Sequence, residues 1–473
     1  MDEKTQTLRH TLDILLSLQP HATYDLSDKG FSKLFSELYG NCVKYNATAK
    51  EWYVWNGKVW VNDIGGLKTL HLAKDFSDAL TVYCTTIKDE RQRVEYQKIT
   101  AKYGQNRFRE VLTKDARDNI YIYTSDLDTN KNLFNCQNGT FDLQTFEFYP
   151  HKASDLLSKI SNVEYNPKAR SVLWENFINE IMQGDKDKID YLQRILGYAL
   201  TAETSLETMW ILYGKSTRNG KSTLVETISY MLCDYAMSTQ PQTLAIRQNK
   251  DTRQASGDIA RLNGCRFLNA SEPPRNMNFD CALLKTLIGN DKITARNLYE
   301  REFEFFPYFK LFVNTNYLPV ITDTTLFHSG RINVLTFDRH FEEWEQDKNL
   351  KAKLQSPENI SGIFNWCLEG LKKYRKSGAI PPPIVKKSTQ EYCKKSDNVG
   401  IFIAECLKKS KESVSAGEAY NHFLAWCSDN GYTALSKTNF FDELKNRGLF
   451  SERGTVNGQT TRNIIKGYTI IDN

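Results

Sequence analysis

Apolar and polar positions change rhythm several times along the chain, and the changes divide it. EWYVWNGKVWVND (51–63) alternates bulky and polar residues around Asn56-Gly57, and NCQNGTFDLQTFEFYPH (135–151) does so around Asn138-Gly139. Both patterns predict β-hairpins, because Asn-Gly accepts the positive φ angles that tight turns demand. NIYIYTSDLDT (119–129) reads as a further strand, so residues 1–165 are expected to form an α+β domain rich in aromatic residues. From 166 to 206 the period lengthens to that of a helix. WENFINEIMQGD places apolar residues at 174, 177, 178 and 181, and YLQRILGYAL at 191, 192, 195, 196, 198 and 200, which predicts a small helical collar.

Residues 207–345 are expected to hold an α/β core. ETMWILYG (207–214), GCRFLNASE (264–272), YFKLFVNTN (308–316) and HSGRINVLTFD (328–338) are apolar runs suited to a buried parallel sheet, separated by helical stretches such as KSTLVETISYML and DCALLKTLIG. ITARNLYEREFEFF (293–306) between them reads as another hairpin. Residues 346–397 are expected to be helical and to end in a linker at GAIPPPIVKK (378–387), because three consecutive prolines can continue neither a helix nor a central strand. Residues 398–473 read as three helices followed by a short β-hairpin around Asn457-Gly458, the outline of a winged helix.

Composition narrows the picture only a little. A chain of 473 residues is too long for one core. The net charge of +5 permits a polyanionic partner without demanding one. The ten cysteines are scattered singly with no CxxC pair, the pattern of reduced, packed thiols rather than a zinc ribbon. No apolar run reaches eighteen residues and MDEKTQTLRH has no apolar core, so neither a membrane span nor a secretory leader is expected and a cytoplasmic protein is.

The chemistry concentrates in one loop. Gly214-Lys215-Ser216-Thr217-Arg218-Asn219-Gly220-Lys221-Ser222-Thr223 satisfies G-x-x-x-x-G-K-[ST] between a predicted strand and a predicted helix. Glycines let backbone N–H groups wrap phosphates while the helix points its positive end at them. Lys221 can reach the β- and γ-phosphates of ATP, and the Ser222 hydroxyl can ligate Mg²⁺. Glu272 ends the next apolar run, as a carboxylate that orients water or holds the metal, or as a solvated strand-end acid. Asn316 ends the run after that, as a contact to the γ-phosphate or as a turn residue, with Asn314 its competitor. Arg331 opens the last strand, either as an arginine finger crossing to a neighbouring subunit's nucleotide or as a surface ion pair. Asp126-Leu127-Asp128 imitates the metal-binding pair of a primase, but no further primase element accompanies it and a loop is the expectation.

The succession GKSTRNGKST, CRFLNASE, LLKTLIGNDKITARNLYE, FVNTNYLP, GRINVLTF resembles superfamily 3 helicases, and more closely the helicase module of phage, plasmid and poxvirus primase-helicases. The upstream NGTFDLQTFEFYPH and the C-terminal AYNHFLAWCSDNGY share the resemblance, as do the replication-initiator helicases of staphylococcal mobile elements. It implies an AAA+ core that forms a homohexameric ring around DNA, with ATP and Mg²⁺ as cofactors and a primase or polymerase as a separate partner. It makes Lys221 and Ser222 the Walker A pair, Glu272 the Walker B acid, Asn316 the sensor and Arg331 the finger. It makes 293–305 a pore-lining hairpin with Arg296, Tyr299 and Arg301 on the DNA. Many such helicases end the Walker B strand with two acids, whereas Ser271 precedes Glu272 here. A replication helicase of a phage or mobile element is the expected function, and an origin-recognition initiator that uses ATP mainly to assemble is the alternative.

Overall fold

A computed structural model describes residues 3–246, 257–275, 277–296, 302–432, 434–456 and 458–471, with side chains from residue 8 onward. The chain divides into two compact units, Met1–Tyr165 and Asn166–Asn473.

In the first unit the two Asn-Gly hairpins form. Glu51–Trp55 pairs antiparallel with Trp60–Asp63, and Leu133–Cys136 pairs with Gly139–Asp142. Val43–Asn46 extends the first hairpin antiparallel, and Tyr121–Ile122 adds a parallel edge. The strand expected over 119–129 is only these two residues, since a 3-10 turn at Thr124–Asp126 ends it. Helices Asp28–Tyr39 and Leu67–Cys84 bury Phe31, Leu34, Phe35, Phe76, Leu80 and Tyr83 in one core with Trp52, Tyr96 and Tyr103. Many of the domain's large aromatics are therefore interior packing. The Asp126-Leu127-Asp128 acids are spent locally: Asp126 accepts from the Tyr123 N–H at 2.8 Å, and Asp128 from the Ser158 N–H at 2.9 Å.

The second unit is built on a five-stranded parallel sheet: β1 (Met209–Tyr213), β2 (Ala236–Thr239), β3 (Phe267–Ser271), β4 (Lys310–Thr315) and β5 (Ile332–Thr336). Its spatial order is β5-β1-β4-β3-β2. All six β4 residues are buried, as a central parallel strand covered on both faces requires. Two helices, α1 (Val172–Ile181) and α2 (Lys186–Ala199), precede β1. Ser171 caps the first through the Trp174 N–H, and Asp185 caps the second through the Lys188 N–H. At the end of α2, Arg266 donates to the Leu200 carbonyl at 2.7 Å, a cation placed where the helix dipole is negative, and Lys310, whose pKa burial pushes well down, donates to the carbonyl of Thr201. Helix α3 (Lys221–Leu232) follows the phosphate-loop sequence, and α4 (Cys281–Ile288) follows β3.

Helix α5 (Pro357–Ser377) packs on α2. The backbones meet because both contact residues are glycine: a Cβ on Gly370 would lie 1.9 Å from the Gln193 oxygen, and one on Gly197 2.2 Å from the Leu371 nitrogen. The proline-rich stretch corrects the sequence reading. Residues 379–382 are irregular, but Pro383 opens helix α6 (Pro383–Ser396) rather than continuing a linker to 387. Proline suits this first position, where its missing N–H would have had no helical partner. The helix docks on β5: Thr389 Oγ1 accepts from the Val334 N–H at 3.0 Å, and the buried Tyr392 hydroxyl donates to the Pro319 carbonyl.

Residues 398–471 form three helices (Asn398–Cys406, Ala416–Asp429, Lys437–Asn446) and a three-stranded antiparallel sheet from Val414–Ser415, Gln459–Ile465 and Phe450–Val456. Phe402, Phe423, Phe440 and Leu444 make their core. All ten cysteines are free, and among the described residues no helix is long and apolar enough to cross a membrane.

Candidate functional site: a phosphate-loop pocket

Parallel strands deliver their loops to one edge, and here the carboxyl ends of β1, β4 and β3 lie side by side, with Leu212 opposite Asn314 and Asn314 opposite Ser271. Gly214 follows β1, Asn316 follows β4 and Glu272 follows β3, so three of the four candidate catalytic positions emerge at one edge.

The loop's shape is set by its glycines. A Cβ on Gly214 would stand 2.1 Å from Asn219 Nδ2 and 2.9 Å from both Lys221 Nζ and the Phe337 oxygen, so any side chain there would push the loop open. Gly220 has φ +84°, and its Cβ would meet Ile181 Cγ2 at 2.4 Å. Asn219, 3 % exposed, ties the loop to itself by donating to the Ser216 carbonyl at 2.6 Å. Lys215, Thr217 and Arg218 are exposed around the rim. Helix α3 starts behind Gly220 with no side-chain cap, which leaves its first N–H groups pointing into the loop.

Lys221 is 4 % exposed and donates to Asn219 Oδ1 at 2.9 Å and to Asn316 Oδ1 at 2.7 Å. Burial pushes its pKa down to about 8, with the Glu272 carboxylate pulling the other way. Two neutral oxygens thus hold an ammonium whose charged form burial disfavours and an anion would stabilise. The Ser222 hydroxyl, at an exposed position next along the helix, receives the Asn314 amide at 3.5 Å. Glu272 is exposed and adopts φ +54°, a left-handed conformation uncommon outside glycine, with its N–H held by the Asn314 carbonyl at 2.8 Å. The chain after β5 closes the loop's outer side. Phe337 N–H donates to the Tyr213 carbonyl at 2.7 Å, Phe341 N–H to the Arg218 carbonyl at 2.9 Å, and His340 Nδ1 to the Thr217 carbonyl at 2.9 Å. No motif in the sequence marks this strap.

The fourth candidate is elsewhere. Arg331 precedes β5 at the opposite edge of the sheet, since Ile332 pairs with Met209 while Thr336 pairs with Tyr213 beside the loop. Its guanidinium forms an ion pair with Glu207. Of the hairpin, Ile293–Ala295 pairs antiparallel with Phe303–Phe305 and Arg296 is half-buried at its end, whereas Tyr299 and Arg301 lie outside the described residues.

A cradle that excludes a Cβ, uncapped helix N–H groups, a buried ammonium and a hydroxyl one residue on fit a nucleotide's phosphates with a divalent cation. Ser222 and Glu272 are the residues here whose oxygens could hold such a cation.

Comparison with known proteins places three matches along the chain. Residues 32–183 match the family described as D5 N terminal like, 212–331 a family of unknown function (DUF5906), and 394–473 the family described as poxvirus D5 protein-like. The chain is 28 % identical over 365 residues to the putative helicase L207/L206 of Acanthamoeba polyphaga mimivirus, covering 71 % of this chain and 37 % of that protein. It is 30 % identical over 243 residues to the putative helicase 022R of Frog virus 3 (isolate Goorha), covering 46 % and 24 %. To the putative helicase V13 of Sputnik virophage it is 26 % identical over 197 residues, covering 39 % and 25 %. The chain thus spans well under half the length of these three relatives. Among solved structures, the apo structure of the NrS-1 C terminal region (305-718) shares the fold with a TM-score of 0.50 at 12 % identity, covering 90 % of this chain and 96 % of that one. The resemblance to poxvirus D5-type proteins therefore holds at both ends of the chain, and the curated relatives carry the name helicase.

Proposed function

We propose that this chain is the ATP-driven motor of a DNA helicase that acts in replication of a phage or mobile genetic element, working as a homohexameric ring. The observation that carries this is the convergence of the Gly214–Thr223 loop, Glu272 and Asn316 at one edge of a sheet ordered β5-β1-β4-β3-β2. That order is the one an AAA+ core would have. The names of the viral relatives point to the same activity.

In this reading the loop N–H groups and Lys221 bind the β- and γ-phosphates, and Asn316, released from Lys221, faces the γ-phosphate. Glu272 aligns a water whose oxygen bonds to the γ-phosphorus as the bond to the bridging oxygen breaks. Mg²⁺, held by Ser222 and Glu272, would neutralise charge on the phosphate oxygens. In this reading Arg331, far from its own loop, would leave Glu207 and serve a neighbour's nucleotide; its ion pair with Glu207 is the alternative that the sequence also allowed. Arg296, Tyr299 and Arg301 would track DNA in the pore, a cation-and-aromatic set suited to backbone and bases.

Residues 398–471 support a second activity, duplex recognition by a winged helix. Arg447, just past its third helix, is paired with Asp397 and Glu443 and so offers little free charge there. The hairpin instead sets exposed Arg453 opposite Arg462, two cations that a phosphate backbone would separate favourably.

Strand separation on forked duplexes carrying one tail at a time tests the motor. The expected result is unwinding that needs ATP and vanishes in Lys221→Ala with folding intact; unwinding retained in Lys221→Ala would refute it.

A further inference from the structure

Asn314 sits one row inside the pocket. It is 3 % exposed, near the end of β4 and opposite Ser271 of β3. Its Nδ2 reaches Ser222 Oγ at 3.5 Å, while its Oδ1 is buried without a hydrogen-bond partner. Folded proteins satisfy nearly all buried polar atoms. An orphan acceptor beside a phosphate loop therefore marks a group whose partner arrives with the ligand.

The surroundings say what that partner is. On the same face of β3, Asn269 is 5 % exposed and donates to Ser271 Oγ at 2.7 Å, and its own Oδ1 is also unpartnered. Asn269, Ser271, Asn314 and Ser222 make a neutral polar row leading to the start of α3. Among the described residues, the carboxylate at this edge of β3 is Glu272, and no cluster of three or more His, Cys, Asp or Glu could hold a metal. A magnesium ion bound mainly through phosphates keeps several waters, and those waters need acceptors. One carboxylate does not supply enough of them.

We propose that Asn314 is a positioning residue for the nucleotide's divalent cation. Its Oδ1 accepts a hydrogen bond from a metal-bound water, and its Nδ2 fixes the Ser222 hydroxyl with a lone pair free for the metal. The amide does from β4 what a second acid at position 271 would do from β3. This inference rests on the reading of the loop as a nucleotide site.

The test measures binding, not turnover. The affinity of a fluorescent N-methylanthraniloyl AMP-PNP is determined in EDTA and in Mg²⁺ for the wild type, Asn314→Leu and Asn314→Asp. The wild type should bind more tightly in Mg²⁺. Asn314→Leu should lose roughly tenfold or more of that gain, the usual effect of removing an outer-shell partner of a metal, and keep its affinity in EDTA. Asn314→Asp retains the shape, provides a second reading should the leucine variant fail to fold, and should keep or enlarge the gain. A Mg²⁺ gain unchanged in Asn314→Leu, or abolished in a folded Asn314→Asp, overturns the role of Asn314 alone. Failure of the wild type to bind the probe in either condition overturns the nucleotide site, and this inference with it.

Discussion

Lys221 gives the sharpest numerical prediction. In the nucleotide-free protein its ammonium is 4 % exposed and faces two amide oxygens, and burial brings its pKa from 10.5 to about 8. Bound phosphates would hold it charged, so above pH 8 binding must take up a proton. With a free-protein pKa of about 8, the protonated fraction falls from roughly nine-tenths at pH 7 to roughly one-tenth at pH 9. Nucleotide affinity in EDTA should therefore fall about tenfold over that interval, while the terminal phosphate titrates lower, near pH 6. The sign for stability is opposite. Between the folded pKa and 10.5 the unfolded chain holds more protons at this lysine, so the destabilisation from burying it is relieved as pH rises. The assay is isothermal titration with AMP-PNP at half-unit steps, beside Lys221→Arg, whose guanidinium does not titrate and whose profile should be flat. A wild-type profile as flat as that of the arginine variant would refute the reasoning.

Further outcomes follow from the packing and from the proposed shared site. Gly214→Ala drives a Cβ into Asn219 and Lys221 and should weaken nucleotide binding by roughly tenfold or more, about the value of one displaced hydrogen bond, read by the same titration. Gly370→Ala pushes on the Gln193 carbonyl and should cost at least about 1–3 kcal/mol in urea unfolding, whereas Gly417→Ala, whose nearest contact is Ser415 Oγ at 3.6 Å, should be neutral or stabilising. Arg331→Ala should bind AMP-PNP normally yet fail in turnover, and mixing it with Lys221→Ala should restore part of the ATPase, because each chain then supplies what the other lacks; no recovery on mixing would count against a shared site.

How much of this was legible in the sequence depends on range. The Asn-Gly hairpins and the strand, loop and helix around Gly214–Thr223 were, because each is specified by consecutive residues whose backbone needs are local. The strand order was not, since it depends on which buried strands pair across gaps of tens of residues. The Pro381-Pro382-Pro383 run misled at its C-terminal half: proline ends a helix but also begins one, and only docking of Thr389 and Tyr392 on the core shows which applies. Glu272 and Asn316 could be singled out as strand-end polar residues. Asn314, two residues before Asn316, carries no sequence signal of its own, because its buried and unpartnered oxygen is a property that only the folded neighbours define. The strap at 337–341 carries no signature at all, since its bonds to the loop are made through backbone and one histidine.

Coupling of phosphate cleavage at this loop to DNA is what the proposed function requires. It is tested most directly by ATP turnover of the purified protein with and without single-stranded DNA, beside Lys221→Ala and Glu272→Gln. Turnover should rise on adding DNA and fall to background in both variants, with AMP-PNP binding kept in Glu272→Gln. Turnover indifferent to DNA, or surviving in either variant, would contradict it.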